Sequence, residues 1–216
     1  PVDKEAIAAV PMALAQRWQV LPLAKQGKKL RVAMADPTNF YAIDAIRLAT
    51  GYEVEPVIGA EREISRAIQE VYGVRETITQ ALTQLRADDN ASERSTIAAD
   101  DAPAVNIVNL IISQAVKQQA SDIHIEPQEN NLRVRFRIDG LLREVFSFPV
   151  YTHASIISRI KIMSELDIAE KRLPQDGRMK VHEAGRDIDI RVSTIPTILG
   201  EKAVLRILDK QTGVFD

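Results

Sequence analysis

Apolar positions along the chain recur with two periods, and each change of period marks a new element. From Lys4 to Trp18 the chain is Ala-rich, with Ile7, Val10, Leu14 and Trp18 at helical spacing and Pro11 breaking or restarting the helix. Val20–Leu23 and Leu30–Met34 read as two short strands around the turn Gln26-Gly27-Lys28. Asp36-Pro37-Thr38-Asn39 predicts a turn into a helix that runs through Ala49 and stops at Thr50-Gly51. Glu53–Ile58 alternates like a strand. Glu61–Tyr72 puts Ile64, Ala67, Ile68 and Val71 on one helical face, with Gly73 as the expected C-cap. Residues 1–73 therefore predict a small domain that mixes helix and strand.

The pattern then fades. Residues 74–100 are polar around Asp88–Ser95, which predicts a solvated linker, with Thr77–Leu85 able to continue as helix. Periodicity returns at 101. Asp101 is placed to N-cap a helix with Pro103 in its first turn, and Val105, Val108, Ile112, Ala115 and Val116 form the apolar stripe. Ser121–Glu126 alternates, with Ile123 and Ile125 on one face and Asp122, His124 and Glu126 on the other. Leu132, Val134, Phe136 and Ile138 line the inner face of the next strand, with Arg133, Arg135 and Arg137 outward. Asp139-Gly140 suits a two-residue hairpin back into Leu141–Phe146. Thr152–Leu166 predicts a helix, Lys171–Arg178 a charged loop, and Arg186–Val192 and Ala203–Leu208 two further strands. Residues 101–216 thus form a second domain, and the fold class is α+β with two small domains.

Composition narrows this little. The 216 residues are 45% hydrophobic and 27% charged, and the net charge of −2 lacks the basic excess that a nucleic-acid partner would require. With no cysteine, disulfides and cysteine metal sites are excluded. No apolar run approaches the ~20 residues of a membrane span. The start lacks an initiator Met and the end closes no element, so both ends read as cuts within a longer chain.

A P-loop needs glycines five apart followed by Lys and Ser or Thr, because its backbone N–H groups wrap the phosphates. The nearest glycines here are eight apart, Gly51 and Gly59 or Gly177 and Gly185, so no catalytic residue for ATP hydrolysis is expected in this chain. Asp122, His124 and Glu126 share a strand face about 6.5 Å apart, but a hydrogen-bonded structural trio is the plainer reading than a metal site. His153 and His182 stand alone. Arg133, Arg135 and Arg137 concentrate charge that Glu126, Asp122 or Glu144 can answer. Arg191 lies outward beside Asp187 and Asp189. Arg206 interrupts the apolar run Ala203–Leu208 and requires an anionic partner: Asp189, Glu201 or a group from another chain.

Ala120–Pro127, Arg135–Gly140, Leu166–Arg178, Asp189–Thr194 and Gly200–Leu208 follow one another over most of residues 101–210. In this order they resemble the type II secretion and type IV pilus assembly ATPases. Residues 1–73 are similar to that family's preceding domain, around Leu30–Pro37 and Gly51–Pro56. The resemblance implies an N-terminal region without its RecA-like core, in which ATP and Mg²⁺ would be bound. It implies a cytoplasmic homohexamer, a PAS-like domain over 101–216, and a docking domain over 1–73 that meets an inner-membrane adaptor or platform. It also implies that Arg191 and Arg206 reach the phosphates of bound ATP. Some members bind cyclic di-GMP through helical motifs rich in leucine and glycine, and no such motif is found here. A stand-alone interaction module or a cyclic-di-GMP sensor is the competing expectation.

Overall fold

The computed structural model describes residues 3–91, 102–183 and 185–208. The expected Asp101 cap and the closing residues from Lys210 onward lie outside these. The chain divides into two compact units, Pro1–Thr77 and Ile78–Asp216.

In the first unit, α1 (Lys4–Ala9) is capped by the Asp3 carboxylate, which accepts from Glu5 N–H at 3.0 Å. Pro11 separates it from α2 (Met12–Trp18), as a missing N–H dictates. Strands β1 (Val20–Gln26) and β2 (Lys29–Met34) form an antiparallel hairpin, and β3 (Glu53–Ile58) joins β2 in parallel. The parallel pair needs a crossover, which α3 (Phe40–Thr50) supplies, started by Asn39 and stopped by Gly51 at φ 72°. Leu30, Val32, Ile46, Ile64 and Ile68 are among the side chains of its core.

The expected stop at Gly73 does not occur. Helix α4 runs from Glu61 to Ala91, through Gly73 and well into the stretch expected as linker. One helical glycine costs only ~1 kcal/mol relative to alanine. Burial beyond it outweighs that: Ile78, Ala81, Leu82 and Leu85 form a stripe that packs into the second core.

The second unit holds a six-stranded antiparallel sheet in the order β6-β5-β4-β9-β8-β7. The strands are β4 (Asp122–Pro127), β5 (Asn131–Ile138), β6 (Leu141–Pro149), β7 (Gln175–Glu183), β8 (Arg186–Thr197) and β9 (Gly200–Leu208). Helices α5 (Ala102–Lys117) and α6 (His153–Met163) share one core with the sheet's inner face, including Ile107, Ile111, Phe136, Ile156, Ile190 and Leu205. The hairpin at Asp139-Gly140 has φ of 50° and 79°, as a two-residue turn of matching twist requires.

Strand β7 is the element the sequence pattern missed. The expected loop Lys171–Arg178 enters the strand at Gln175. Only Met179 along it is fully buried, so an edge strand carries no clean alternation. Gly177 lies against the carbonyl of Ser164, where a Cβ would come within 2.5 Å.

Candidate functional site

The outer face of the sheet collects most of the polar side chains because most inner positions are spent on the core. On β8, Ile188, Ile190 and Val192 are buried and Arg191 is exposed. On β9, Ala203 and Leu205 are buried and Arg206 is exposed. The register sets Arg191 directly opposite Arg206. The two arginines singled out in the sequence are therefore neighbours on adjacent strands.

Arg206 finds its anion on the next strand. Its Nε donates to Asp122 Oδ1 at 2.9 Å, and Asp122 stands opposite it in the β4–β9 pair. The expected partners Asp189 and Glu201 are not the ones used. Glu201 points into the core side and pairs with Lys161 at 2.6 Å, while Asp189 lies 3.9 Å from Lys180. Separation in sequence hid the real partner, since Asp122 and Arg206 are 84 residues apart.

Asp122 is only 5% exposed although it faces outward, because arginines cover it. Arg137 Nε lies 3.3 Å from its other oxygen, and Ser121 Oγ donates to that oxygen at 2.9 Å. Burial alone would raise its carboxyl pKa. Hydrogen bonds from Arg206 and Ser121, with the charges of Arg206 and Arg137, outweigh this and hold it below the usual value. Glu126 repeats the arrangement, accepting from Arg135 at 2.8 Å and Arg133 at 3.2 Å. Burial raises its pKa too, and those two arginines lower it further. His124 between them is held below its usual value, first by burial and then by Arg137 and Arg135, against the opposing pull of Glu126 and Asp122.

Asp122 and Glu126 thus serve as counter-charges for arginines, with His124 between them. Among the described residues no group of three His, Asp or Glu is arranged to hold a metal. His153 contacts the Glu201 carbonyl at 2.7 Å and His182 contacts Asp187 at 2.8 Å.

Arg178 was not among the candidate residues taken from the sequence. On β7 it stands directly opposite Arg191. Its stretch was expected as a charged loop, and only the register shows which side chain it faces. Among the described residues, Arg178 and Arg191 have no hydrogen-bonded or ionic partner. A pair of unanswered guanidiniums on an open face is suited to bidentate contact with phosphate.

Comparison with known proteins shows the family. Residues 97–216 match the family model described as type II/IV secretion system protein, and residues 1–78 match the MshEN domain. The type IV pilus assembly ATPase PilB of Myxococcus xanthus is 44% identical over 225 residues, covering all of this chain and 40% of that protein. The type II secretion system protein E of Xanthomonas campestris pv. campestris is 44% identical over 206 residues, covering 93% of this chain and 36% of that protein. A solved structure of the N-terminal domain of XpsE is 29% identical, with a TM-score of 0.29, over 32% of this chain and 47% of that one. The chain spans about two fifths of the length of these curated relatives. On these matches, the chain belongs to the family of type II secretion and type IV pilus assembly ATPases.

Proposed function

We propose that this chain is the N-terminal regulatory and docking part of a hexameric cytoplasmic motor ATPase that powers type II secretion or type IV pilus assembly. In the full-length protein, ATP and Mg²⁺ are held mainly by a C-terminal core. The chain's own contribution is positive charge brought to the phosphates by Arg191 and Arg206. The observation that carries this reading is their pairing across β8 and β9, both exposed, with Asp122 gripping only the Nε of Arg206. The terminal nitrogens of Arg206 make no hydrogen bond among the described residues, which leaves their donors for a phosphate. A guanidinium delivered to a transferring phosphoryl group stabilises the charge that develops there.

Residues 1–73 supply the surface for an inner-membrane adaptor or platform. Phe40, Tyr41, Leu48 and Ile58 support this, since all four are at least 72% exposed on the first unit. Rotation between the units of the full-length protein then carries the work of hydrolysis to that platform.

The test uses the full-length protein. ATP turnover of Arg191→Ala and Arg206→Ala is expected to fall by about tenfold or more, which is modest beside the effects known for arginine fingers. Rates near wild type in both variants would refute the assignment.

A further inference from the structure

Four arginines and one aspartate stand in a single line across five strands. The register carries this line from Arg178 on β7 to Arg191 on β8, Arg206 on β9, Asp122 on β4 and Arg137 on β5. Neighbours in the line are directly opposite residues of antiparallel pairs, so their Cα atoms lie about 4.5–5.5 Å apart and their side chains leave the same face. Four guanidiniums and one carboxylate leave a net charge of about +3 at neutral pH.

Like charges directly opposite one another destabilise a sheet. At one end of the line this is relieved, because Asp122 answers both Arg206 and Arg137. At the other end, among the described residues, no carboxylate forms an ion pair or hydrogen bond with Arg178 or Arg191. Asp189, the carboxylate one outward position along β8 from Arg191, stands opposite Lys180 and lies 3.9 Å from it. Asp176, one outward position from Arg178, stands opposite Ser193. Arg178, Lys180 and Arg191 also line a common cleft of about 590 Å³, whose wall carries two carboxylates, Glu165 and Asp189, against these three cations. The position of Arg178 is set by its neighbour, since Gly177 is seated against Ser164 and Leu166 with no room for a side chain.

We propose that Arg178, Arg191 and Arg206 form one polyphosphate-binding row, with Arg178 as a third phosphate ligand and Asp122 as the residue that orients Arg206. The proposal rests on the reading above only for the roles of Arg191 and Arg206. The row crosses the sheet perpendicular to the strands, at about 4.8 Å per strand, so it offers three forks in sequence to a linear anion carrying several phosphoryl groups. Asp122 bounds the row on its inner side, where a carboxylate repels further anionic charge. The shared chemistry is a chain of phosphates, whether free or as the triphosphate arm of a nucleotide.

The experiment titrates this chain with inorganic tripolyphosphate, ATP and adenosine, by calorimetry and amide NMR, at about 50 mM salt where screening is weak. Tripolyphosphate and ATP are expected to bind with similar affinity and to shift amides of β7, β8 and β9, and adenosine to do neither. Arg178→Gln is expected to weaken both about fivefold, equal to ~1 kcal/mol. Arg178→Lys, which keeps the charge and loses the fork, is expected to weaken them less. Arg62→Gln on α4 is the charge control, and thermal melting checks that each variant folds. The proposal is overturned if the wild type does not bind tripolyphosphate, if only ATP binds, or if Arg62→Gln weakens binding as much as Arg178→Gln. It is also overturned if Arg178→Gln binds like wild type while Arg191→Gln and Arg206→Gln do not. That last result would leave the two-arginine reading standing, and the turnover of the full-length variants decides that reading separately.

Discussion

Lys161 and Glu201 form an ion pair at 2.6 Å where little water reaches, with side-chain exposures of 1% and 7%. Lys161 Nζ also donates to the Glu170 carbonyl at 2.6 Å, so one buried cation ties α6 to β9 and to the loop before β7. Replacing Lys161 with Met keeps much of the stem and removes the charge. At an effective dielectric of about 20, the gross attraction lost at 2.6 Å is about 6 kcal/mol. Desolvation of both ions offsets part of it, and breaking a buried pair from one side costs ~3–5 kcal/mol because the other charge is stranded. With the hydrogen bond to Glu170 lost as part of the same change, about 4 kcal/mol is expected. Against a total stability of ~5–15 kcal/mol this is a large fraction. Urea unfolding followed by far-UV circular dichroism measures it. The double variant Lys161→Met with Glu201→Leu is expected to recover most of the loss, because an apolar pair strands no charge. The reasoning is refuted if Lys161→Met costs under ~1 kcal/mol, or if the double variant is as unstable as the worse single one.

Three further outcomes follow from named contacts. Gly177→Ala places a Cβ 2.5 Å from the Ser164 carbonyl, which is backbone and cannot swing aside; a loss of ~1–3 kcal/mol is expected in denaturant unfolding, and no loss would contradict the packing at β7. Tyr72 donates to the Val10 carbonyl at 3.0 Å, and burial pushes its hydroxyl pKa up to about 12. Tyr72→Phe is expected to cost ~1–2 kcal/mol by leaving that carbonyl unpaired, and a wild-type unfolding midpoint would argue against the bond. The Asp122 carboxyl is held below its unfolded value, so its contribution is present above about pH 4 and is lost as pH falls through the folded value. Asp122→Asn is expected to lower stability at pH 7 and to flatten the decline below about pH 4, and parallel acid limbs for the two proteins would count against it.

Most elements were legible in the chain because their signals are local. Pro11 divides two helices, Asn39 and Gly51 bracket a third, and Asp139-Gly140 turns a hairpin, each through backbone geometry that needs no distant partner. Gly73 misled for the opposite reason. Its local propensity to end a helix is worth ~1 kcal/mol, and tertiary burial of Ala81 and Leu85 overrides it. Strand β7 was unreadable because an edge strand covered on one face at one position has too few buried residues to alternate.

The candidate site divides along the same line. Alternation within β8 and β9 was enough to put Arg191 and Arg206 outward, and the apolar run around Arg206 was enough to demand an anion for it. Which anion was not determined, because a register between strands 84 residues apart is set by how the whole sheet closes. Only that closure puts Asp122 under Arg206, sends Glu201 to Lys161, and brings Arg178 opposite Arg191. Periodicity decides which face a side chain takes, and the sheet's pairing order decides which side chains meet there.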